Sequence, residues 1–200
     1  MISAEDTYKT IGGPGKGSYR DLGSKFLAFA YPVETADQVK EIVADLKKEY
    51  FDARHHCYAY RLGKDGEQWR ANDDGEPSSS AGRPILGQLL SNELSDVLVV
   101  VVRYFGGTKL GIPGLIKAYR SATADALANC TVVEKVASDN VSFEFDYLQM
   151  NDVMKFLKDR DLSPVSQDFG LNCRITLRIP LSQIEAVTAA IPAVRISLRQ

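Results

Sequence analysis

The run VLVVVV, residues 97–102, constrains the fold of this chain more than any other stretch. It lacks the alternation of apolar and polar residues that marks a strand with one face in water, so we expect a strand buried on both faces. The run is also far too short to span a bilayer, which takes about 20 apolar residues in a helix. It therefore predicts the interior of a soluble protein.

Composition excludes several classes of protein. The 200 residues suffice for one large or two small domains, and the formal net charge of -2 gives no overall attraction to nucleic acid or membranes. The three cysteines are far apart, which fits neither a disulfide framework nor a zinc site. The N-terminus is polar and does not resemble a signal peptide. We therefore expect a cytoplasmic protein with no membrane contact, no metal and no cofactor.

The periodicity of apolar residues predicts an α+β fold with two domains. Residues 1–136 combine helical and strand patterns around the valine-rich strand, and we expect one mixed domain there. Residues 137–200 follow the order β-α-β-β-α-β, which is typical of a ferredoxin-like domain. No internal repeat is evident.

The segment HHCYA is the first candidate for chemistry. Because side chains alternate along a strand, His55 and Cys57 share one face and His56 lies on the other. A Cys–His pair could act as nucleophile and base, but residues two apart on a strand project in parallel and do not point at each other. The simpler interpretation is that Cys57 is a small buried apolar residue.

The stretch ANDDGEPSSSAGRPIL, residues 71–86, has the composition of a linker but lies inside the first domain. Its acidic residues either bind a metal or act as acid and base, or they belong to ordinary turn chemistry. A hydrolase or phosphate-ester enzyme would use His55 with the acidic residues. The candidate acidic residues are Asp73, Asp74 and Glu76, and the residues expected to shape the loop are Gly75, Pro77 and Gly82.

The segment RYFGGTKLGIPGL, which follows the buried strand, is the best candidate for a binding site. It ends where a helix begins, and free N–H groups at a helix N-terminus favour an anion. No acidic residue occurs between Asp96 and Asp125, although four basic residues do. The aromatic rings of Tyr104 and Phe105 could stack on bases. A glycine turn with packed aromatic rings and solvated cations is the alternative. The expected ligand or nucleic-acid contacts are Arg83, Arg103, Tyr104, Lys109, Lys117 and Arg120, and the expected turn glycines are Gly106, Gly107 and Gly111.

Three segments, HHCYAYRLG, NDDGEPSSSAGRPIL and VVVVRYFGGTKLG, resemble the characteristic motifs of the Impact family, specifically its bacterial YigZ-like branch. The resemblance extends over essentially the whole chain. It implies a first domain like the second domain of ribosomal protein S-five. It also implies a ferredoxin-like second domain, similar to the last domain of elongation factor G.

The resemblance also implies a function connected with translation. We expect a nucleic-acid- or ribosome-associated binding protein with RNA, the ribosome or a translation-regulatory protein as partner. The alternatives are the hydrolase described above and a module that docks a protein partner. Two positions depart from the family pattern, because Ser79 and Pro113 stand where relatives usually carry glycine. A positive φ at the first position or a required N–H at the second would alter the loops.

Overall fold

The structure, a computed structural model, describes residues 4–170, 172–192 and 195–198. Helices and strands are both abundant and build separate sheets, which confirms the predicted α+β class. The chain divides into two compact units, Tyr8–Lys135 and residues 4–7 together with those from 136 onward. The expected domains, 1–136 and 137–200, stay a prediction. No described helix is long and apolar enough to cross a membrane.

The first unit contains seven strands and three helices, counted over the described residues. In chain order they are β1 (Thr7–Ile11), β2 (Gly15–Asp21), β3 (Ser24–Pro32), α1 (Ala36–Glu49), β4 (His55–Leu62), β5 (Gln68–Asn72), α2 (Gly82–Ser91), β6 (Val97–Tyr104), α3 (Gly111–Ala128) and β7 (Val132–Val136). Five of the strands form an antiparallel sheet in the order β2-β3-β6-β4-β5, and β1 pairs with β7.

The valine-rich run occupies the centre of the five-stranded sheet as β6, and both of its faces are covered. The odd-numbered residues of the run pack with Ile85 of α2 and Tyr119 of α3. The even-numbered residues pack with Val39 and Leu46 of α1. All six residues of the run are fully buried, as the absence of alternation predicts. Helices on both faces thus give an antiparallel strand the uniform apolar pattern that is more common in parallel sheets.

The second unit has the order β-α-β-β-α-β. Its elements are β8 (Ser138–Phe145), α4 (Met150–Asp159), β9 (Pro164–Phe169), β10 (Cys173–Pro180), α5 (Ile184–Ala190) and β11 (Arg195–Leu198). The sheet is antiparallel with the order β11-β8-β10-β9. Of the closing strand expected near the C-terminus, residues 193, 194, 199 and 200 lie outside the described residues.

One face of the second sheet is apolar and the other is polar. In β10, every second residue is buried, and the buried set packs with Val153 of α4 and Val187 of α5. The N-terminal residues belong to this unit because the Asp6 carboxylate accepts hydrogen bonds from the backbone and hydroxyl of Ser182. Because Asp6 and Ser182 are far apart in the chain, no local sequence pattern predicts this contact.

Candidate functional site

A single cleft in the first unit brings together four of the polar side chains that the sequence singled out, His55, Glu76, Arg103 and Lys109. It lies between the start of β4, the end of β6, the acidic loop (residues 73–81), the basic turn (residues 105–110) and the first turn of α3. Its volume is about 510 Å³, which is typical of sites that hold a small ligand. The charged and imidazole side chains that line it are Arg54, His55, Glu76, Arg103 and Lys109.

The register of the sheet decides which side chains reach the cleft. His55 of β4 lies opposite Arg103 of β6, and Arg103 lies opposite Phe26 of β3, so all three project from one face. The next residue, Tyr104, projects from the other face, where its hydroxyl donates a 2.7 Å hydrogen bond to Asp52. That hydrogen bond raises the pKa of Tyr104 to about 12. Tyr104, which we expected to stack on bases, therefore lies outside the cleft.

Glu76 and Arg103 form a buried ion pair at the cleft. Their side chains are 4% and 7% exposed, and Nη1 of Arg103 donates a 2.6 Å hydrogen bond to Oε1 of Glu76. The hydroxyl of Tyr119 donates a 2.7 Å hydrogen bond to the same oxygen. The guanidinium lies 5.4 Å from the ring centroid of Phe26 and 5.8 Å from that of Phe105. Its Nε is the single buried side-chain nitrogen or oxygen among the described residues that has no hydrogen-bond partner.

Cys57 follows His55 by two residues along β4 and is fully buried. Its S–H donates to the carbonyl oxygen of Asp73 at 3.0 Å, and its Sγ lies 3.3 Å from the hydroxyl oxygen of Tyr119. Burial raises the pKa of the Cys57 thiol far above its ordinary value. A nucleophilic cysteine requires the thiolate, so the structure favours the interpretation of Cys57 as a packed core residue.

The carboxylate of Asp73 organises the acidic loop. It accepts hydrogen bonds from the backbone N–H groups of Ser79 (2.8 Å), Ala81 (3.1 Å) and Gly82 (2.8 Å). The N–H groups of Ala81 and Gly82 lie at the start of α2. Ala81, the residue before the helix, makes no side-chain hydrogen bond that would cap it. Asp73 therefore supplies the cap from a distance and brings favourable negative charge to the helix N-terminus. With these bonds made, it is a structural residue.

Asp74 joins the acidic loop to β4 and α1. Its carboxylate accepts 2.7 Å and 2.9 Å hydrogen bonds from the backbone N–H of His56 and from Nζ of Lys47. Burial raises the pKa of Asp74, but the bonds from Lys47 and His56 outweigh it, and the net shift is downward. The ring of His56 is bonded to the carbonyl of Tyr50 at 3.0 Å, and burial lowers its pKa, so this histidine is neutral at pH 7.

His55 is the histidine that lines the cleft. Its Nδ1 lies 2.8 Å from the carbonyl oxygen of Asp74. Because a carbonyl only accepts hydrogen bonds, we assign the proton to Nδ1, which leaves Nε2 as the acceptor of the neutral ring. The expected contact between the histidine and the acidic loop exists, but it uses the loop backbone. The carboxylates of Asp74 and Glu76 are bonded elsewhere.

The basic turn and the start of α3 form the opposite wall. Lys109 makes no ion pair or hydrogen bond with the described residues. The N-terminus of α3 has no side-chain cap and no acidic residue in its first turn. Pro113 is the third residue of this helix, where the backbone N–H has no partner within the helix. It therefore leaves the helix intact but removes one N–H donor from the helix end.

Glycines allow the two loops to approach the sheet. A Cβ atom on Gly106 would lie 1.9 Å from the backbone of Gly23, and one on Gly82 would lie 2.5 Å from that of Asn72. Gly82 is the first residue of α2, so the helix begins two residues before Pro84. The expected loop glycines with positive φ are Gly75, Gly107 and Gly111. The carbonyl of Pro77, another expected loop residue, accepts hydrogen bonds from the backbone and hydroxyl of Ser80.

Ser79, which stands where relatives usually carry glycine, has a positive φ. Its φ is +63°, in the left-handed region where glycine is favoured. Its backbone N–H donates a 2.8 Å hydrogen bond to the Asp73 carboxylate. The cost is backbone strain, and the hydroxyl-bearing side chain is exposed.

Besides Tyr104, three more of the expected binding residues lie outside the cleft. Arg83 is on α2, where its guanidinium stacks over the ring of Trp69 at 5.0 Å. Lys117 and Arg120 are exposed on α3, beyond the turn that borders the cleft. Basic charge in one stretch of sequence is thus distributed over different surfaces because α3 rotates successive side chains by about 100° per residue.

Sequence reasoning missed Arg54 and named Phe105 only as an alternative to Tyr104 for stacking on bases. Arg54 directly precedes β4, lines the cleft and forms no ion pair with the described residues. Phe105 lines the same cleft and is 53% exposed. The strand alternation that separates Tyr104 from Arg103 could have favoured Phe105 as the aromatic residue of the site. Nothing in the sequence around Arg54 marks it as a neighbour of Lys109.

The acidic residues do not form a metal site in the part of the chain that the structure describes. No group of three or more His, Cys, Asp or Glu side chains there could hold a metal ion. Asp73, Asp74 and Glu76 instead bond to a helix end, to β4 and α1, and to Arg103, respectively.

Comparison with known proteins agrees with these motifs. Residues 22–127 match the model of the Impact N-terminal domain, and this range contains the whole cleft. The chain is 35% identical to the IMPACT family member YvyE of Bacillus subtilis, over 76% of this chain and 70% of that protein. It is 30% identical to the IMPACT family member YigZ of Escherichia coli, over 83% and 82% of the two chains.

A solved structure extends the similarity to the fold of nearly the whole chain. The crystal structure of a hypothetical protein matches with a TM-score of 0.73 at 28% identity, and it covers 92% of this chain and 90% of its own. The family match covers more than half of the sequence, and the similarity to the bacterial relatives continues beyond it. This chain therefore belongs to the IMPACT family.

Proposed function

We propose that the chain binds RNA, free or within the ribosome, and that the phosphate groups enter the cleft beside α3. The observation that carries this proposal is that Arg54 and Lys109, two cations with no ion pair among the described residues, share one cleft with the uncapped N-terminus of α3. Cationic side chains and helix N–H groups are the usual partners of nucleic-acid phosphates. The exposed ring of Phe105 offers a surface on which a base can stack.

Several lysines outside the cleft are less available to an anion than Lys109 is. Elsewhere in the first unit, several lysines are neutralised by carboxylates, as in the pairs Lys9–Glu93, Lys40–Asp37 and Lys48–Asp45. In the cleft, the single carboxylate, Glu76, is already bonded to Arg103. The positive charge of Arg54 and Lys109 is therefore available to a ligand.

We further propose that this binding serves translation regulation in the cytoplasm, as membership of the IMPACT family favours. The domain assignment belongs to the same proposal. Residues 1–136 would form a domain of the kind found in ribosomal protein S-five. Residues 137–200 would form a ferredoxin-like domain similar to the last one of elongation factor G. The β-α-β-β-α-β order and the sheet order β11-β8-β10-β9 support the second of these assignments.

Fluorescence anisotropy with a labelled single-stranded RNA tests the binding proposal. We expect binding that weakens steeply with salt, and we expect Lys109→Ala to weaken it at least about fivefold and to reduce the salt slope by about 0.7. Lys155→Ala is the control, because Lys155 is exposed on α4 in the other unit and forms no ion pair with described residues. Absence of RNA binding at low salt, or equal effects of the two variants, would overturn the proposal.

A second candidate function, hydrolysis of a phosphate ester, is favoured by one observation. The hydrogen bond from Nδ1 of His55 to the Asp74 carbonyl leaves Nε2 free to accept a proton from water in the cleft that also contains Lys109. Loss of RNA cleavage or phosphate release in His55→Gln, with binding retained, would support it. If the unaltered protein leaves a bound RNA and its terminal phosphates intact, this candidate is rejected.

A further inference from the structure

The charge in the cleft exceeds what one phosphodiester neutralises. Arg54, Arg103 and Lys109 face a single carboxylate, Glu76, which leaves a formal excess of two positive charges. The N-terminus of α3 adds the partial positive charge of its uncapped N–H groups. A phosphodiester carries one negative charge, whereas a phosphomonoester carries about 1.5 to 2 at pH 7. The cleft thus matches the charge of a terminal phosphate better than that of an internal one.

Arg103 provides an observation that is independent of the helix end. Its side chain is 93% buried, it projects from the sheet face that α3 covers, and it lines the cleft. One of its donors, Nε, has no hydrogen-bond partner among the described residues. An unpaired buried donor on a charged group is costly, which makes such groups rare unless a ligand or water completes them. Arg103 therefore adds an incompletely satisfied guanidinium to the cleft that the α3 terminus also lines.

The rest of the cleft suits one nucleotide. Phe105 and Ile112 line it and are 53% and 52% exposed, so their apolar surfaces are open to a planar base. The volume of about 510 Å³ is that of a small-molecule site and not of an extended groove for several nucleotides. The phosphate side of the cleft, at Lys109 and the α3 terminus, directly adjoins this apolar side.

We propose that the cleft holds a nucleotide that carries a phosphomonoester, either a free nucleoside monophosphate or the phosphorylated end of an RNA strand. This inference rests on the proposed binding of RNA phosphate and specifies its form. Lys109, Arg54 and the first N–H groups of α3 bind the phosphate, and Phe105 stacks on the base. A strand end enters the cleft, while the rest of the strand lies outside it.

Binding measurements with matched ligands test this inference. Isothermal titration calorimetry would use adenosine 5′-monophosphate, adenosine and inorganic phosphate. Anisotropy would use one short single-stranded RNA in its 5′-phosphorylated, 3′-phosphorylated and unphosphorylated forms. We expect one phosphorylated form to bind at least about tenfold more tightly than the unphosphorylated form, and adenosine 5′-monophosphate to bind more tightly than adenosine by a similar factor.

Two variants separate the phosphate from the base. Lys109→Ala should remove most of the preference for the phosphorylated ligand, whereas Lys117→Ala, on the same helix but outside the cleft, should retain it. Phe105→Ala should weaken the binding of adenosine 5′-monophosphate by about tenfold and leave the binding of inorganic phosphate unchanged. Thermal unfolding of each variant checks that the fold is retained.

The possible outcomes distinguish this inference from the proposed function. Tighter binding of a phosphorylated RNA than of the unphosphorylated RNA, with a difference that depends on Lys109, supports both. Equal binding of the phosphorylated and unphosphorylated RNAs, with no binding of adenosine 5′-monophosphate, supports RNA binding and overturns the terminal-phosphate site. Lys109-dependent binding of adenosine 5′-monophosphate without RNA binding supports the nucleotide site with a free nucleotide as its ligand, and it overturns the RNA function. No binding of any ligand overturns both.

Discussion

The acidic loop and the basic turn face each other across the cleft, but they use their charged groups in opposite ways. Each carboxylate of the acidic loop that we considered catalytic is bonded to the protein: Asp73 to backbone N–H groups, Asp74 to Lys47, and Glu76 to Arg103. In the basic turn, Lys109 has no partner among the described residues. Glycine occurs in both loops, so composition does not separate them.

The difference shows that a loop can contain catalytic residue types that serve its own structure. A loop of irregular backbone leaves many N–H groups without regular partners, and carboxylates can satisfy several of them at once. The basic turn is followed directly by a helix, whose own N–H groups remain unpaired at its end. Removal of the carboxylates of the acidic loop should therefore reduce stability, and removal of the free cations of the cleft should reduce binding.

The largest effect is expected from Glu76→Gln. The substitution keeps the size of the side chain but leaves the Arg103 guanidinium buried without a counter-charge, which should cost about 3–5 kcal/mol in the free energy of unfolding. Urea denaturation measures this loss. Glu93→Gln is the control, because Glu93 is exposed in its pair with Lys9, and it should leave the midpoint unchanged. An equal, small effect of both substitutions would show that the ion pair is not a structural requirement.

A smaller loss of stability is expected from Asp73→Ala. It removes the acceptor for three backbone N–H groups, two of them at the start of α2, and should cost about 2 kcal/mol. Hydrogen exchange should show faster exchange at the N–H groups of Ala81 and Gly82 than in the unaltered protein. Asp65→Ala, which changes an exposed turn carboxylate of another loop, should leave these N–H groups protected. Unchanged protection in Asp73→Ala would contradict the assigned role.

Arg54 and Lys109, the two cations of the cleft without an ion pair among the described residues, should respond in the opposite way. The double substitution Arg54→Ala/Lys109→Ala should weaken RNA binding by more than about tenfold, because two phosphate contacts are lost. Its free energy of unfolding, measured by urea denaturation, should change by no more than about 0.5 kcal/mol, as is usual for surface substitutions. A large loss of stability with normal binding would reverse the contrast between the two loops.

The buried histidine beside the acidic loop should give a pH dependence. Burial lowers the pKa of His56 from its ordinary value of 6.5, so the unfolded chain takes up a proton at a higher pH than the folded chain. Stability is therefore fully present above pH 6.5 and falls as the pH decreases through the folded pKa. Urea titrations between about pH 5 and 8 measure the fall. It should be reduced in His56→Gln and kept in His55→Gln.

The smallest effect is expected from Ser79→Gly. Glycine relieves the positive φ at this position, but it also increases the freedom of the unfolded chain, so the net gain should be at most about 1 kcal/mol. Ser78→Gly is the neighbouring control, because Ser78 has no positive φ, and it should be neutral or destabilising. A loss of stability in Ser79→Gly would mean that the serine side chain stabilises the loop by more than the strain costs.

The sequence predicts the framework of the site better than its contacts. Position at the end of a buried strand, before a helix, correctly indicates that the basic turn borders a helix N-terminus. Within that stretch, Lys109 lines the cleft, but Tyr104 and Lys117 do not. The charge of a residue is known from the sequence, whereas the direction in which its side chain projects depends on strand and helix geometry. That geometry requires an exact register, which composition does not specify.

The sequence by itself determined the α+β class, the strand buried on both faces and the family, because each of these depends on local periodicity or on ordered motifs. Only the tertiary structure decided that Arg103 is paired with Glu76, that Asp73 caps α2, and that Arg54 joins Lys109 in one cleft. The physical reason is that such pairings connect residues far apart in the chain. They follow from how β4, β6 and α3 pack and from which buried charges then need a partner.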